Sequence, residues 1–178
     1  MSKTIMVLTG SSRKNSAGDN ILPHVVSEIE AAGATALVAD VRELNLPFFD
    51  EDNIPAAEDY VPQNENAKKL QEMVQKAGGV ILLSPEYNNM MSAIQKNAID
   101  WLYADWKDMP FGVVGYSWSG ITPVLEQIEK LVKKVSGVSV GTPAQLFTTK
   151  DVEMSGELVD ESEAKEKIAA VVKAVVEA

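Results

Sequence analysis

The stretch GVILLSPEYNN, residues 79–89, runs from a block of apolar residues straight into Pro, Glu, Tyr and two Asn. A strand with one wet face alternates apolar and polar residues. An unbroken apolar run such as GVILLS (79–84) instead reads as a strand buried on both faces of a parallel sheet. Parallel strands need crossover helices, and the flanking sequence supplies them. NENAKKLQEMVQKAG, ending at Gly78, has helical spacing before the run, and SAIQKNAIDWLYADW has it after.

The same alternation extends to both ends. TIMVLTG (4–10) reads as a first strand, and NILPHVVSEIEAAG as a helix with Ile21, Val25, Ile29 and Ala32 on one stripe and Gly33 as its stop. Pro23 is expected in that helix's first turn, where its missing N–H is harmless. TALVAD (35–40) is a second strand, and LNLPFFDEDNIPAAEDYVP, rich in acids and proline, a long surface loop. MPFGVVGYS (109–117) is the fourth strand and TPVLEQIEKLVKKVSG the following helix, with Thr122 expected to cap it and Pro123 at N1. VSVGTPAQLF is expected as one fifth strand. The last helix, ESEAKEKIAAVVKAVVEA, turns Ile168, Val171, Val172 and Val175 to the core. The expected class is therefore α/β: a three-layer sandwich about a five-stranded parallel sheet in the flavodoxin-like order 2-1-3-4-5. We expect one domain over residues 1–178.

That topology singles out three loops. Ligands of open parallel sheets bind beyond the carboxyl ends of the strands, where the strand order reverses, here between strands 1 and 3. The loops at that edge are GSSRKNS, SPEYNN and GYSWSG.

Composition limits their chemistry. With 178 residues, 46% hydrophobic and 24% charged, the chain can bury a core without staples. It has no Cys and one His (His24), which removes thiol catalysis and Cys-based zinc and leaves little for a catalytic triad or a multi-His site. An enzyme so equipped borrows its reactivity from a cofactor. The net charge of −10 argues against a nucleic-acid partner and requires any phosphate site to be local, made of backbone N–H groups and a few basic side chains. No apolar run reaches a membrane span, and MSKTIMVLTG lacks a signal peptide's charged and apolar regions, so the expected location is cytoplasmic, without membrane contact.

GSSRKNSAGDN (10–20) admits two readings. Ser11, Arg13 and Ser16 suit a terminal phosphate monoester, with backbone N–H groups and a helix N-terminus behind them. The plainer reading is a polar turn with Ser16 or Asp19 as N-cap. SPEYNN presents Glu86, Tyr87 and Asn88 behind Pro85, either along a flat heteroaromatic ligand or as a surface aromatic with a capping Asn. GYSWSGIT offers Ser117 as a donor and Trp118 as a cover or an interface aromatic. The acids of FFDEDNIPAAEDY lack a calcium-loop pattern, and His24 has no obvious partner.

GSSRKNS, DVRELNLPFFDED and SPEYNNMMSAIQKNAIDW together resemble the NADPH-dependent FMN reductase family, from strand 1 to about the fourth helix. The resemblance implies a flavodoxin-like flavoprotein that passes hydride from NAD(P)H to bound FMN and on to a small acceptor: a flavin, quinone, azo compound or metal oxyanion. It implies that Ser11, Arg13 and Ser16 hold the FMN phosphate, that Pro85, Glu86, Tyr87 and Asn88 lie along the ribityl chain and isoalloxazine, and that Ser117 meets the flavin's other edge. It implies no side-chain acid or base and a homodimer or homotetramer. Met90, Ser92, Gln95 and Ile121 depart from the family's usual residues. The rival readings are a flavodoxin-type electron carrier and an interaction module that has lost its flavin.

Overall fold

The structure, a computed structural model, describes residues 2–159 and 161–178, with only the helical backbone at 161 and 162. Along the chain run β1 (Thr4–Thr9), α1 (Ala17–Ala31), β2 (Thr35–Ala39), a short α2 (Val41–Leu44), α3 (Glu65–Lys76), β3 (Gly79–Pro85) and α4 (Ala93–Asp100). After a 3-10 turn (Ala104–Trp106) come β4 (Pro110–Ser117), α5 (Thr122–Lys134), β5 (Val138–Ser139), β6 (Ala144–Phe147) and α6 (Glu161–Glu177).

Every strand pairing in the sheet is parallel, and the order is β2-β1-β3-β4-β5, with β6 also on β4. All seven residues of β3 are buried, as its unbroken apolar run requires. One face packs Met6, Leu8, Val80 and Leu82 against α3, α4 and α5, and the other packs Ile5, Val7, Ile81 and Leu83 against α1 and α6. The result is the expected three-layer, flavodoxin-like sandwich.

The fifth strand departs from expectation. VSVGTPAQLF is cut into β5, paired with β4 at Phe111↔Ser139, and β6, paired at Val114↔Ala144 to Ser117↔Phe147. Gly141 at φ +68° and Pro143, which has no N–H to give the ladder, turn the chain between them. A split edge strand also offers little template for pairing with another chain.

Three helix expectations need correction. Pro23 lies inside α1, not in its first turn. The helix starts earlier because Ser16 and Asp19 form a reciprocal capping box: Gly18 N–H donates to Ser16 Oγ, and Ser16 N–H to the Asp19 carboxylate. Pro23 therefore forfeits a bond to the Asp19 carbonyl at an exposed position. Ala32 falls past the helix end and is exposed, and Gly18 takes its place on the buried stripe with Ile21, Val25 and Ile29. The fifth helix begins on Ile121 with no side-chain cap, so Thr122 is not its N-cap.

The helix after SPEYNN stops at Asp100, and its KNAIDW segment anchors the long loop. Asn97 Nδ2 donates to Pro47 O at 2.8 Å, its Oδ1 accepts from Phe49 N–H, and Trp101 Nε1 donates to the same Pro47 carbonyl at 2.9 Å. Among the described residues no helix is long and apolar enough to cross a membrane.

Candidate functional site

The parallel register carries β1, β3 and β4 to a common edge, with Thr9 beside Leu83 and Pro85 beside Tyr116. The three loops selected from the sequence emerge there. At Gly10 the strands nearly touch: a Cβ would come within 2.7 Å of Pro85 Cδ and 2.9 Å of Gln95. Only glycine fits so close an approach.

The first loop turns on Asn15, which has φ +53°, a conformation that Asn tolerates better than most residues. Ser11 is buried; its Oγ accepts from Arg13 N–H at 3.2 Å and lies 2.8 Å from the Tyr87 hydroxyl. Ser16 is also buried, capping α1 and sitting 3.1 Å from the Tyr116 hydroxyl. Among the described residues, nothing accepts from the N–H groups of Ser11, Ser12, Lys14 or Asn15, and the exposed side chains of Arg13 and Lys14 make no ion pair. Several free N–H groups on a tight turn beside two cations make an anion-binding concavity.

Beneath that loop lies a charge network. Arg42 reaches Asp19 and Asp40, each at 2.7 Å. Burial works to raise the Asp40 pKa, but the hydrogen bonds from the Arg42 side chain and backbone outweigh it and hold the carboxyl below its ordinary range. The Arg42 guanidinium, bonded first to Asp40 and then to Asp19, is shifted upward. Arg42 thus offsets the acids of the helix cap without occupying the free N–H groups above.

The second loop is a tight turn. Tyr87 and Met90 exchange two backbone hydrogen bonds of 3.0 Å across Asn88 (φ +54°) and Asn89 (φ +64°). Positive φ at both central residues is the type I′ geometry, for which Asn suits. The Glu86 carboxylate accepts from Asn89 N–H, and Glu86 N–H donates to Tyr116 O at 3.3 Å. Gln127 of α5 steadies the turn from outside, donating to Asn89 O at 3.1 Å and accepting from Met91 N–H at 3.1 Å.

The third loop is less bonded. Ser117 is 8% exposed, and its Oγ is buried with no hydrogen-bond partner among the described residues. Trp118, next to it, is 62% exposed. On the opposite face of β4, Tyr116 lies over α1, whose Gly18 leaves room for the ring: a Cβ there would stand 2.5 Å from the hydroxyl oxygen. Burial pushes the Tyr116 phenol up to about 12, despite the hydrogen bond to Ser16, so it stays neutral near pH 7.

These loops enclose a polar cleft of about 120 Å³ walled by Arg13, Ser16, Pro85, Glu86, Tyr87 and Ser117. Ser11 joins it through Tyr87. Asn88 does not line it, since it occupies the exposed corner of the turn. Asn20 points elsewhere, donating to Ser155 O at 2.9 Å. A second cavity, about 330 Å³ and mostly apolar, shares Tyr87 as a wall and adds Leu46, Phe48 and Ile94.

Sequence reasoning missed Tyr116, Thr148 and Met154, which also line the cleft. Thr148 arrives because its N–H extends the β4–β6 pairing by donating to Ser117 O at 2.8 Å, a contact between distant positions with no local signal. Tyr116 precedes Ser117 on β4 and comes to the cleft from the α1 side, where Gly18 leaves room for its ring.

The donor set fits a phosphate monoester attached to a larger polar body. The free N–H groups and Arg13 suit the phosphate, and the orphaned Ser117 hydroxyl supplies a donor at the far wall.

Comparison with known proteins bears on what that body is. The family model described as NADPH-dependent FMN reductase matches residues 4–153. An NAD(P)H-dependent FMN reductase of a Nectria species is 26% identical over 145 residues, covering 79% of this chain and 72% of that protein. An FMN-dependent NADPH-azoreductase of Staphylococcus aureus is 28% identical over 145 residues, with coverages of 80% and 75%. Among solved structures, a flavoenzyme NAD(P)H:(acceptor) oxidoreductase from Paracoccus denitrificans superposes with a TM-score of 0.76 at 25% identity, covering 98% of this chain and 96% of that one. A Streptococcus pneumoniae flavodoxin, at a TM-score of 0.60 and 13% identity, shares the fold.

Proposed function

This chain belongs to the NADPH-dependent FMN reductase family, and from that premise we propose that the cleft between β1, β3 and β4 is its FMN site. The protein is an oxidoreductase that uses FMN with NAD(P)H as the electron donor. Its membership in a reductase family favours an enzyme over the electron-carrier and flavin-free alternatives.

The phosphate binds the N–H groups between Gly10 and Ser16, with Arg13 as the charged donor and Ser11 and Ser16 beside it. The ribityl chain and ring run along Pro85, Glu86 and Tyr87 toward Ser117. Asn88 serves the cofactor indirectly in this assignment, by shaping the turn that carries Tyr87. Bound FMN supplies hydride and electron transfer between the nicotinamide and a small acceptor. The chain's own share is to bind, orient and shield. The neutral Tyr116 closes the bottom of the site without adding charge, and the Arg42 network offsets Asp19 where the phosphate would otherwise meet a bare carboxylate.

The observation that carries the reading is the set of N–H groups at Ser11, Ser12, Lys14 and Asn15, beside Arg13, from which nothing accepts among the described residues. For the acceptor we propose a small molecule such as a flavin, quinone, azo compound or metal oxyanion. We propose further that the chain is a single FMN-binding domain, cytoplasmic, and assembled as a homodimer or homotetramer. The exposed Phe48, Ile54 and Val61 of the long loop support the last point as apolar surface in want of cover.

The test is an anaerobic absorbance spectrum of the purified protein, before and after NADPH and, separately, NADH. We expect a flavin spectrum that bleaches on addition of at least one of them. Bound flavin untouched by either donor would defeat the reductase reading, and a colourless protein that takes up no added FMN would defeat the site.

A further inference from the structure

The first turn of α4 lies behind the cleft and grips both strands that lead into it. Gln95 is fully buried, with two donors and an acceptor to satisfy. Its Nε2 donates to Leu8 O of β1 at 3.0 Å and, at the limit of a hydrogen bond, to Leu83 O of β3 at 3.5 Å; its Oε1 accepts from Ser84 Oγ at 2.6 Å. Three residues earlier Ser92, 1% exposed, donates to Gly10 O at 2.5 Å and accepts from Gln95 N–H at 3.3 Å.

The partners of this pair are the last residues before the two ligand loops. Gly10 leads into Ser11, and Ser84 into Pro85 and Tyr87. An apolar side chain could fill the space of Gln95, but it would hold the strand ends by packing alone, with no preferred register between them. A buried amide is costly unless paired, and once paired it admits few arrangements. The absence of slack at Gly10, whose missing Cβ would meet both Pro85 and Gln95, points the same way. The Ser92 bond has a further effect. In a trans peptide the N–H points opposite to the C=O, so holding Gly10 O toward α4 turns the Ser11 N–H away from it, where no described group accepts from it.

We propose that Gln95 and Ser92 are positioning residues for the cofactor: a polar clasp that sets the separation between the phosphate loop and the flavin-facing loop to the span of one FMN. The proposal rests on the FMN reading above. Neither residue touches the cofactor in it.

The span itself gives the test. FMN bridges the two loops, whereas riboflavin has no phosphate and engages only the flavin-facing one. Dissociation constants for both are measured by quenching of flavin fluorescence on the apoprotein, in wild type, Gln95→Leu, Ser92→Ala and Ser92→Thr, with melting temperatures recorded alongside. Gln95→Leu should weaken FMN about tenfold and riboflavin less than about twofold, since the loss falls on simultaneous engagement. Ser92→Ala should move the same ratio by about threefold, and Ser92→Thr, which keeps the hydroxyl, should restore it. The Ser92 pair decides the matter if Gln95→Leu does not fold. An unchanged FMN constant, or parallel losses for FMN and riboflavin that follow the melting temperature, overturns the clasp while leaving the site intact. A wild-type protein that binds no FMN overturns the functional reading itself.

Discussion

Between β1 and β3 the rim of the cleft is bonded from wall to wall: Ser11 to Tyr87, Ser92 to Gly10, Gln95 to Leu8 and Ser84. Beyond β4 it ends on Ser117, whose buried hydroxyl has no partner among the described residues, with Trp118 standing out and α5 starting without a side-chain cap. The same sheet edge thus carries one half whose loops are already tied to each other by side-chain hydrogen bonds and one half whose buried hydroxyl is bonded to none of the described residues. An orphaned buried hydroxyl costs the free protein stability that a ligand can return. Side chains fix the loop spacing in the first half, whereas the second half waits for what it will hold.

The strongest way to break this comparison is at the anion site. Arg13→Ala removes an exposed cation that is unpaired among the described residues, so it should leave folding alone and weaken FMN binding by about 10- to 100-fold. Equal flavin content in the purified variant and wild type would remove the phosphate from this loop. Ser117→Ala probes the other half and should show opposite signs in two assays. The apoprotein should gain up to about 1 kcal/mol in denaturant unfolding, while FMN affinity falls by about threefold. A loss of apoprotein stability would mean that the hydroxyl is already satisfied.

The remaining predictions sharpen the comparison from its edges. Asp40 has a depressed pKa in the folded state, so its contribution is complete above the ordinary carboxylate range and disappears as pH falls through the lowered value. Acid titration of stability should therefore show a loss below about pH 4 that Arg42→Ala diminishes, the variant being less stable than wild type near pH 7 and converging with it in acid. An acid limb identical in wild type and variant would show that the network beneath the first loop carries no such linkage. The smallest effect is expected at Asn89→Gly, which keeps the type I′ turn with its preferred second residue. Its melting temperature should hold or rise slightly, by less than about 1 kcal/mol in stability, with FMN affinity unchanged.

The layers, the strand order and the three loops were legible because β3 shows no alternation and because the crossovers follow from parallel pairing. Six of the eight expected site residues line one cleft, and Ser11 joins it through Tyr87. The misreadings share a cause in backbone geometry. The start of α1 was hidden by Pro23, although Ser16 and Asp19 already carried the spacing of a capping box. The break between β5 and β6 followed from Gly141 and Pro143 acting together on an edge strand. Thr148 and Met154 reach the cleft only through the pairing of β6 with β4, which joins positions some thirty residues apart and leaves no local trace. Gln95 and Ser92 stood out in the sequence as unusual for the family; their carbonyl partners on the strand ends became visible only in the fold.

Diffraction from crystals grown with FMN tests the central claim most directly. The account predicts the phosphate within hydrogen-bonding distance of the N–H groups between Ser11 and Asn15 and of Arg13, with Ser117 Oγ donating to the flavin. A phosphate bound outside that loop, or a flavin that leaves Ser117 without a partner, would contradict it.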